Sequence, residues 1–174
     1  MSLSKILKNT FLVIIFGLVV TACTTTTKKT AVGKYTKIES EAQAEAQIQG
    51  DVYVGTDTVG ELSKGVPDRV FFATNESILT TKSRDTLRKQ ATWLRENSNV
   101  NVVVEGHADE RGTREYNLAL GERRANAAKD YLMTYGVSAD RISVISYGKE
   151  RPVDAGSSPL SWSKNRRSVT VKAN

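Results

Sequence analysis

A chain of 174 residues, 39% hydrophobic and 25% charged, has material for one modest globular domain plus accessory segments. Its formal charge of +6 falls to +4 once Lys5 and Lys8 are set aside as part of a leader, and acids and bases are mixed along the rest. That balance removes the compositional argument for a nucleic-acid partner, and the single cysteine, Cys23, rules out a disulfide within the chain.

Lys5 and Lys8 precede an apolar stretch from Phe11 to Val20, broken only by Gly17. A membrane span needs about 20 residues, so residues 1–22 read as a secretory signal instead. The tetrad Val20-Thr21-Ala22-Cys23 resembles the lipobox of bacterial lipoproteins. That resemblance implies a lipid on the Cys23 thiol, cleavage before it, and acylation of the new amine. The rival reading is an ordinary signal followed by an incidental cysteine. One acyl chain holds a membrane only marginally, and each buried CH₂ contributes about 0.8 kcal/mol, so stable anchoring takes several chains. Residue 24 is Thr rather than the Asp that retains enteric lipoproteins in the inner membrane. This implies the outer membrane, with the chain facing the periplasm.

From Thr24 to about Pro67 no apolar periodicity is visible. Glu39 to Gln49 is rich in Glu, Ala and Gln and lacks an apolar face. Residues 23–66 are therefore expected to be a lipidated N-terminus and flexible linker. Its reach would be roughly 35–40 Å on average and roughly 140–150 Å fully stretched.

A domain is expected over residues 67–174. Arg69 to Phe72 reads as a strand. Thr80 or Thr81 can cap a helix running to about Glu96, with Leu87, Ala91 and Leu94 on one face. Asn99 to Glu105 reads as a strand whose three successive valines suit burial on both faces. A polar loop over 106–112 leads into a helix over 113–135, striped by Leu118, Gly121, Ala125, Ala128 and Leu132 and ended by Gly136. Arg141 to Tyr147 is a strand, Ser161 to Lys164 a turn of helix, and Arg167 to Lys172 a last strand. The order β-α-β-α-β-(α)-β predicts one α+β domain with helices packed on a mixed sheet.

The densest polar cluster lies between the second strand and second helix, from Gly106 to Asn117, where α/β folds place ligands. Arg124 follows on that helix, at the edge of its apolar stripe. Asp109 and Arg124 together would suit a zwitterion, the carboxylate for an ammonium and the guanidinium fork for a carboxylate. Equally, they can pair with each other, or with Arg111 and Glu122, as a structural network. An enzyme is the rival class. His107 is the only histidine and neighbours Asp109 and Glu110, but a zinc site takes three or four ligands and no second His exists. No Ser-His-Asp order can be defended. No catalytic residues and no metal ligands are assigned, and a metal-dependent periplasmic hydrolase is set aside.

The run from Glu105 to Thr113 resembles the peptidoglycan-associated lipoprotein family of the Tol–Pal system and, more broadly, the OmpA-like C-terminal domain. So do Glu115-Tyr116-Asn117, Leu120 to Ala127, Gly136 to Asp140, Ser146 to Glu150, and Lys164-Asn165-Arg166-Arg167. The likeness covers about residues 69–172. It implies non-covalent binding of meso-diaminopimelate in peptidoglycan stem peptides, with the key aspartate on Asp109 and the key arginine on Arg124. Secondary contacts fall on Arg111, Thr113 and Leu120, and on the loop from Phe72 through Thr74 to Asn75. This chain has Thr74-Asn75 where the enteric pattern has Phe-Asp, losing a negative charge there. By the same resemblance, TolB and other Tol proteins are partners through an overlapping surface, and envelope constriction at division is served. No cofactor is implied beyond the lipid on Cys23. The alternative is an OmpA-like lipoprotein outside the Tol system with the same wall binding.

Overall fold

The computed structural model describes residues 51–173; the proposed leader, Cys23 and the linker up to residue 50 lie outside them. A small hairpin of β1 (Glu61–Ser63) and β2 (Val66–Pro67) comes first. Then follow β3 (Arg69–Phe71), α1 (Thr81–Glu96), β4 (Val102–His107), α2 (Arg114–Thr134), a 3₁₀ turn (Ala139–Arg141), β5 (Ile142–Gly148), α3 (Pro159–Asn165) and β6 (Arg167–Lys172). The main sheet has the order β3-β6-β4-β5. β4 and β5 are parallel, joined across α2, while β6 runs antiparallel to both β3 and β4. This is the expected α+β arrangement of helices on a mixed sheet. Its consequence for the site is geometric: the C-terminal ends of β3 and β4 and the start of β6 meet at one end of the sheet.

Local chemistry sets the helix ends. The Thr80 and Thr113 hydroxyls each accept from the backbone N–H three residues on, at 3.2 Å, satisfying a donor that the first helical turn leaves free. Gly136 takes φ of 85° and closes α2, with Gly136 N–H donating to the Met133 carbonyl and Val137 N–H to Leu132. The core joins Leu87, Ala91 and Leu94 of α1 to Ala125, Ala128 and Leu132 of α2, over Val70, Phe72, Val102, Val104 and Ile142. Helix α2 meets β4 backbone to backbone. A Cβ on Gly106 would lie 1.8 Å from the Gly121 carbonyl oxygen, so no side chain fits and the helix sits directly over the strand's end.

Three expectations change. The buried face of α2 begins with Asn117 and Leu120, while Leu118 is only half-buried. Its first turn packs under the 108–113 loop, where the Asn117 amide donates to the Arg111 carbonyl at 2.8 Å. Val103 is half-buried rather than sealed, because the core packs on the Val102–Val104 face. The boundary at residue 67 falls inside the packed body. Tyr53 is 7% exposed and meets Phe71 edge-on at 4.9 Å, and Leu62 joins the core. Residues 51–66 carry too few apolar side chains to show a period, yet two of those few are buried.

Candidate functional site

After β3 the chain makes a tight turn. Glu76 N–H donates to the Ala73 carbonyl at 3.2 Å, and Asn75, third in the turn, has φ of 58°. Asn tolerates this left-handed conformation better than most residues, which gives Asn75 a conformational reason beyond charge. Arg124 clamps the turn from beneath. Its Nε donates to the Glu76 carbonyl at 2.8 Å, one Nη to Ala73 at 3.0 Å and the other to His107 at 2.9 Å. One guanidinium therefore ties both ends of the β3 turn to the end of β4. Its plane lies 5.4 Å from the Phe72 ring centroid.

At the edge of the apolar stripe Arg124 is expected to offer its fork to a ligand carboxylate, but the side chain is 0% exposed and its donors are spent within the fold. A planar fork on the adjacent helix supplies donors to the Glu76 and His107 carbonyls and to the second lone pair of the Ala73 carbonyl. Burial, with the nearby Arg166 charge, pulls its pKa down to about 10, so it stays charged at neutral pH. Phe72 and Leu120 are also buried and support the site from behind.

Asp109, 7% exposed, does not hydrogen-bond Arg124. It accepts three hydrogen bonds from Arg111: from the backbone N–H at 3.1 Å, Nε at 2.9 Å and Nη2 at 2.7 Å. Arg166 Nη1 approaches its second oxygen at 3.6 Å. Partial burial opposes ionisation of Asp109. The hydrogen bonds from Arg111 and the charges of Arg111 and Arg166 outweigh it and hold the carboxyl below its ordinary range. Arg111 is exposed, lies 4.3 Å over the Trp162 ring, and reaches the Thr74 hydroxyl at 3.3 Å. Trp162 Nε1 donates to Glu110 at 2.8 Å. Thr113, exposed at the α2 cap, borders the same loop.

Arg166, Asp51 and Trp162 join this cluster without having been singled out from the sequence. Arg166 is 1% exposed; its Nε donates to the Phe72 carbonyl at 3.1 Å and its Nη2 to Asp51 Oδ1 at 3.1 Å. Its signal was the motif Lys164-Asn165-Arg166-Arg167, but only the antiparallel β6 brings it to the ends of β3 and β4. The cluster therefore sets the guanidinium groups of Arg111, Arg124 and Arg166 against the carboxylates of Asp109, Asp51 and Glu110, with Arg111 and Glu110 at its solvent-facing lip. A cavity of about 110 Å³ lies elsewhere, lined by Tyr53, Val59, Phe71 and Thr86, and contains none of these charged groups.

His107 is 2% exposed, and neither ring nitrogen has a hydrogen-bond partner. Glu105 Oε2 lies 3.4 Å from Nε2. No ion pair follows, because burial and the charges of Arg167, Arg151 and Arg69 push the imidazole pKa down to about 3. Among the described residues, no group of three or more His, Cys, Asp or Glu is placed to hold a metal.

The comparisons with known proteins fall on this same body. The chain is 52% identical over 111 residues to a peptidoglycan-associated lipoprotein of Mesorhizobium japonicum, covering 64% of this chain and 66% of that protein. It is 62% identical over 66 residues to one of Pseudomonas aeruginosa, 38% of this chain and 39% of that one. These matches span less than two thirds of the relatives' length. The crystal structure of the peptidoglycan-associated lipoprotein from Burkholderia pseudomallei superposes with a TM-score of 0.60 at 35% identity, covering 61% of this chain and 90% of that one. The OmpA family model matches residues 71–166, from the end of β3 through the Asp109 loop and Arg124 to Arg166, and the chain belongs to the OmpA family.

Proposed function

We propose that this chain is an outer-membrane lipoprotein that holds peptidoglycan without covalent attachment, through the diaminopimelate of its stem peptides. The observation that carries this reading is the lip around Asp109: an ionised carboxylate among the guanidinium groups of Arg111, Arg124 and Arg166. A zwitterionic amino-acid end presents an ammonium and a carboxylate a few bonds apart, and the lip offers groups of both opposite signs. Asp109 takes the ammonium. Arg111, exposed and able to swing, takes a carboxylate, with Thr74, Asn75 and Thr113 along the rim. Arg124 acts as a positioning residue, setting the β3 turn against β4. Peptidoglycan association in the names of the relatives supports the partner, and nothing in the reading requires catalysis. With Cys23 acylated, the domain would link the outer membrane to the wall. It would work with TolB and other Tol proteins in envelope integrity and constriction.

Calorimetric titration tests this with stem peptides carrying diaminopimelate or lysine. The diaminopimelate peptide should bind, and Asp109→Ala should weaken it at least about tenfold, the equivalent of about 1.4 kcal/mol. Arg124→Lys should bind poorly too, since an ammonium cannot hold three carbonyls in a plane. The lysine peptide lacks the second carboxylate and should bind weakly; equal affinity for the two peptides would overturn the reading.

A further inference from the structure

Thr74 is second in the β3 turn, and its N–H takes no part in the turn's own hydrogen bond, which runs from Glu76 to Ala73. It donates instead to Asp51 Oδ2 at 2.8 Å. The other oxygen of Asp51 accepts from Arg166 Nη2 at 3.1 Å, and the Asp51 carbonyl accepts from that same nitrogen. A backbone N–H and a guanidinium nitrogen converging on the two oxygens of one carboxylate make a carboxylate-binding pair. The carboxylate found there belongs to the chain itself. It sits on the segment preceding the hairpin, pinned by buried Tyr53, and by Lys82 Nζ donating to the Val54 carbonyl at 3.0 Å. The Asp51 side chain is 51% exposed, so a solvent-borne group has access to the same two donors.

We propose that Asp51 is an internal competitor at the binding lip: its side chain fills a carboxylate subsite made by Thr74 N–H and Arg166, and it leaves when a ligand carboxylate enters. This rests on the wall-binding reading above and adds a determinant of its affinity. With Asp51 in place, its carboxylate occupies both donors. With Asp51 displaced, Arg166 Nη2 and Thr74 N–H are both free to donate to an incoming carboxylate, while Arg166 Nε stays tied to the Phe72 carbonyl. The Tyr53 anchor keeps Asp51 nearby, so exchange needs only a local movement of the segment's first residues.

The experiment uses the full chain in detergent micelles, titrated with a diaminopimelate stem tripeptide. Because the Asp51 carboxylate is half exposed and its ion pair with Arg166 is screened by solvent on that side, Asp51→Ala should raise affinity only about two- to fivefold. Asp51→Asn keeps the shape and a neutral acceptor, guards against a folding defect, and should give a smaller rise. The Thr74 amide proton should move upfield on Asp51→Ala, as its N–H loses a carboxylate acceptor, and return toward its wild-type position when the peptide binds that variant. Wild-type binding with equal or weaker binding by both variants would overturn the competitor role and leave the wall reading standing. No binding by wild type or variants would remove the wall reading, and this proposal with it.

Discussion

Single residues in this domain hold charges where water is scarce, and each does so in its own way. Arg124 and Arg166 are nearly fully buried and remain cationic by spending their N–H groups on carbonyls and carboxylates. His107 takes the opposite course and stays neutral, its pKa lowered from 6.5 to about 3 by burial and three nearby arginines. The lowered value means the unfolded chain takes up the proton first as pH falls. Its contribution to stability is therefore complete above pH 6.5 and is lost as pH drops from there toward 3, by up to about 1.4 kcal/mol per unit. Denaturant unfolding at pH 7 and pH 5 should show the wild type losing more stability than His107→Gln. Equal losses would mean that the imidazole titrates normally in the fold.

At the scale of elements, the segment from Asp51 to Val66 is the one that departs furthest from its sequence reading. Expected as linker, it inserts Tyr53 against Phe71 and Leu62 into the core. Burying two large apolar side chains contributes roughly 3–6 kcal/mol, a large share of a small domain's stability. A chain beginning at Asp68 should therefore melt at least about 10 °C below one beginning at Asp51. Superimposable melting curves from calorimetry would return the segment to the linker. The helices lie where short-range signals put them. Thr80 and Thr113 as caps, Gly136 as the stop and Leu87, Ala91 and Leu94 as a face are short-range features that the chain specifies within a few residues. The α2 stripe starts at Asn117 rather than Leu118 because the loop before the helix folds over Asn117, which no local period records.

For the whole molecule, the proposed function needs the folded body and an anchor together. We expect intact-mass measurement of the mature protein to find Cys23 as its lipid-bearing first residue, and Cys23→Ser to leave the precursor uncleaved and without lipid. A wild-type chain beginning elsewhere without lipid would sink that expectation. The amino-acid order by itself determined the element sequence, the α+β class and the loop from Gly106 to Asn117 as the polar concentration, because periodicity, capping and polarity are written over spans of a few residues. It also placed Asp109 and Arg124 near one another. The division of labour among the charges was decided only by tertiary structure. Strand β6 runs antiparallel between β3 and β4, bringing Arg166, distant in sequence, beside Asp109, and the 51–66 segment folds back to set Asp51 against Thr74. Which carboxylate meets which guanidinium depends on distances across those crossings and on how completely water is excluded from each, and neither quantity is carried by residue spacing.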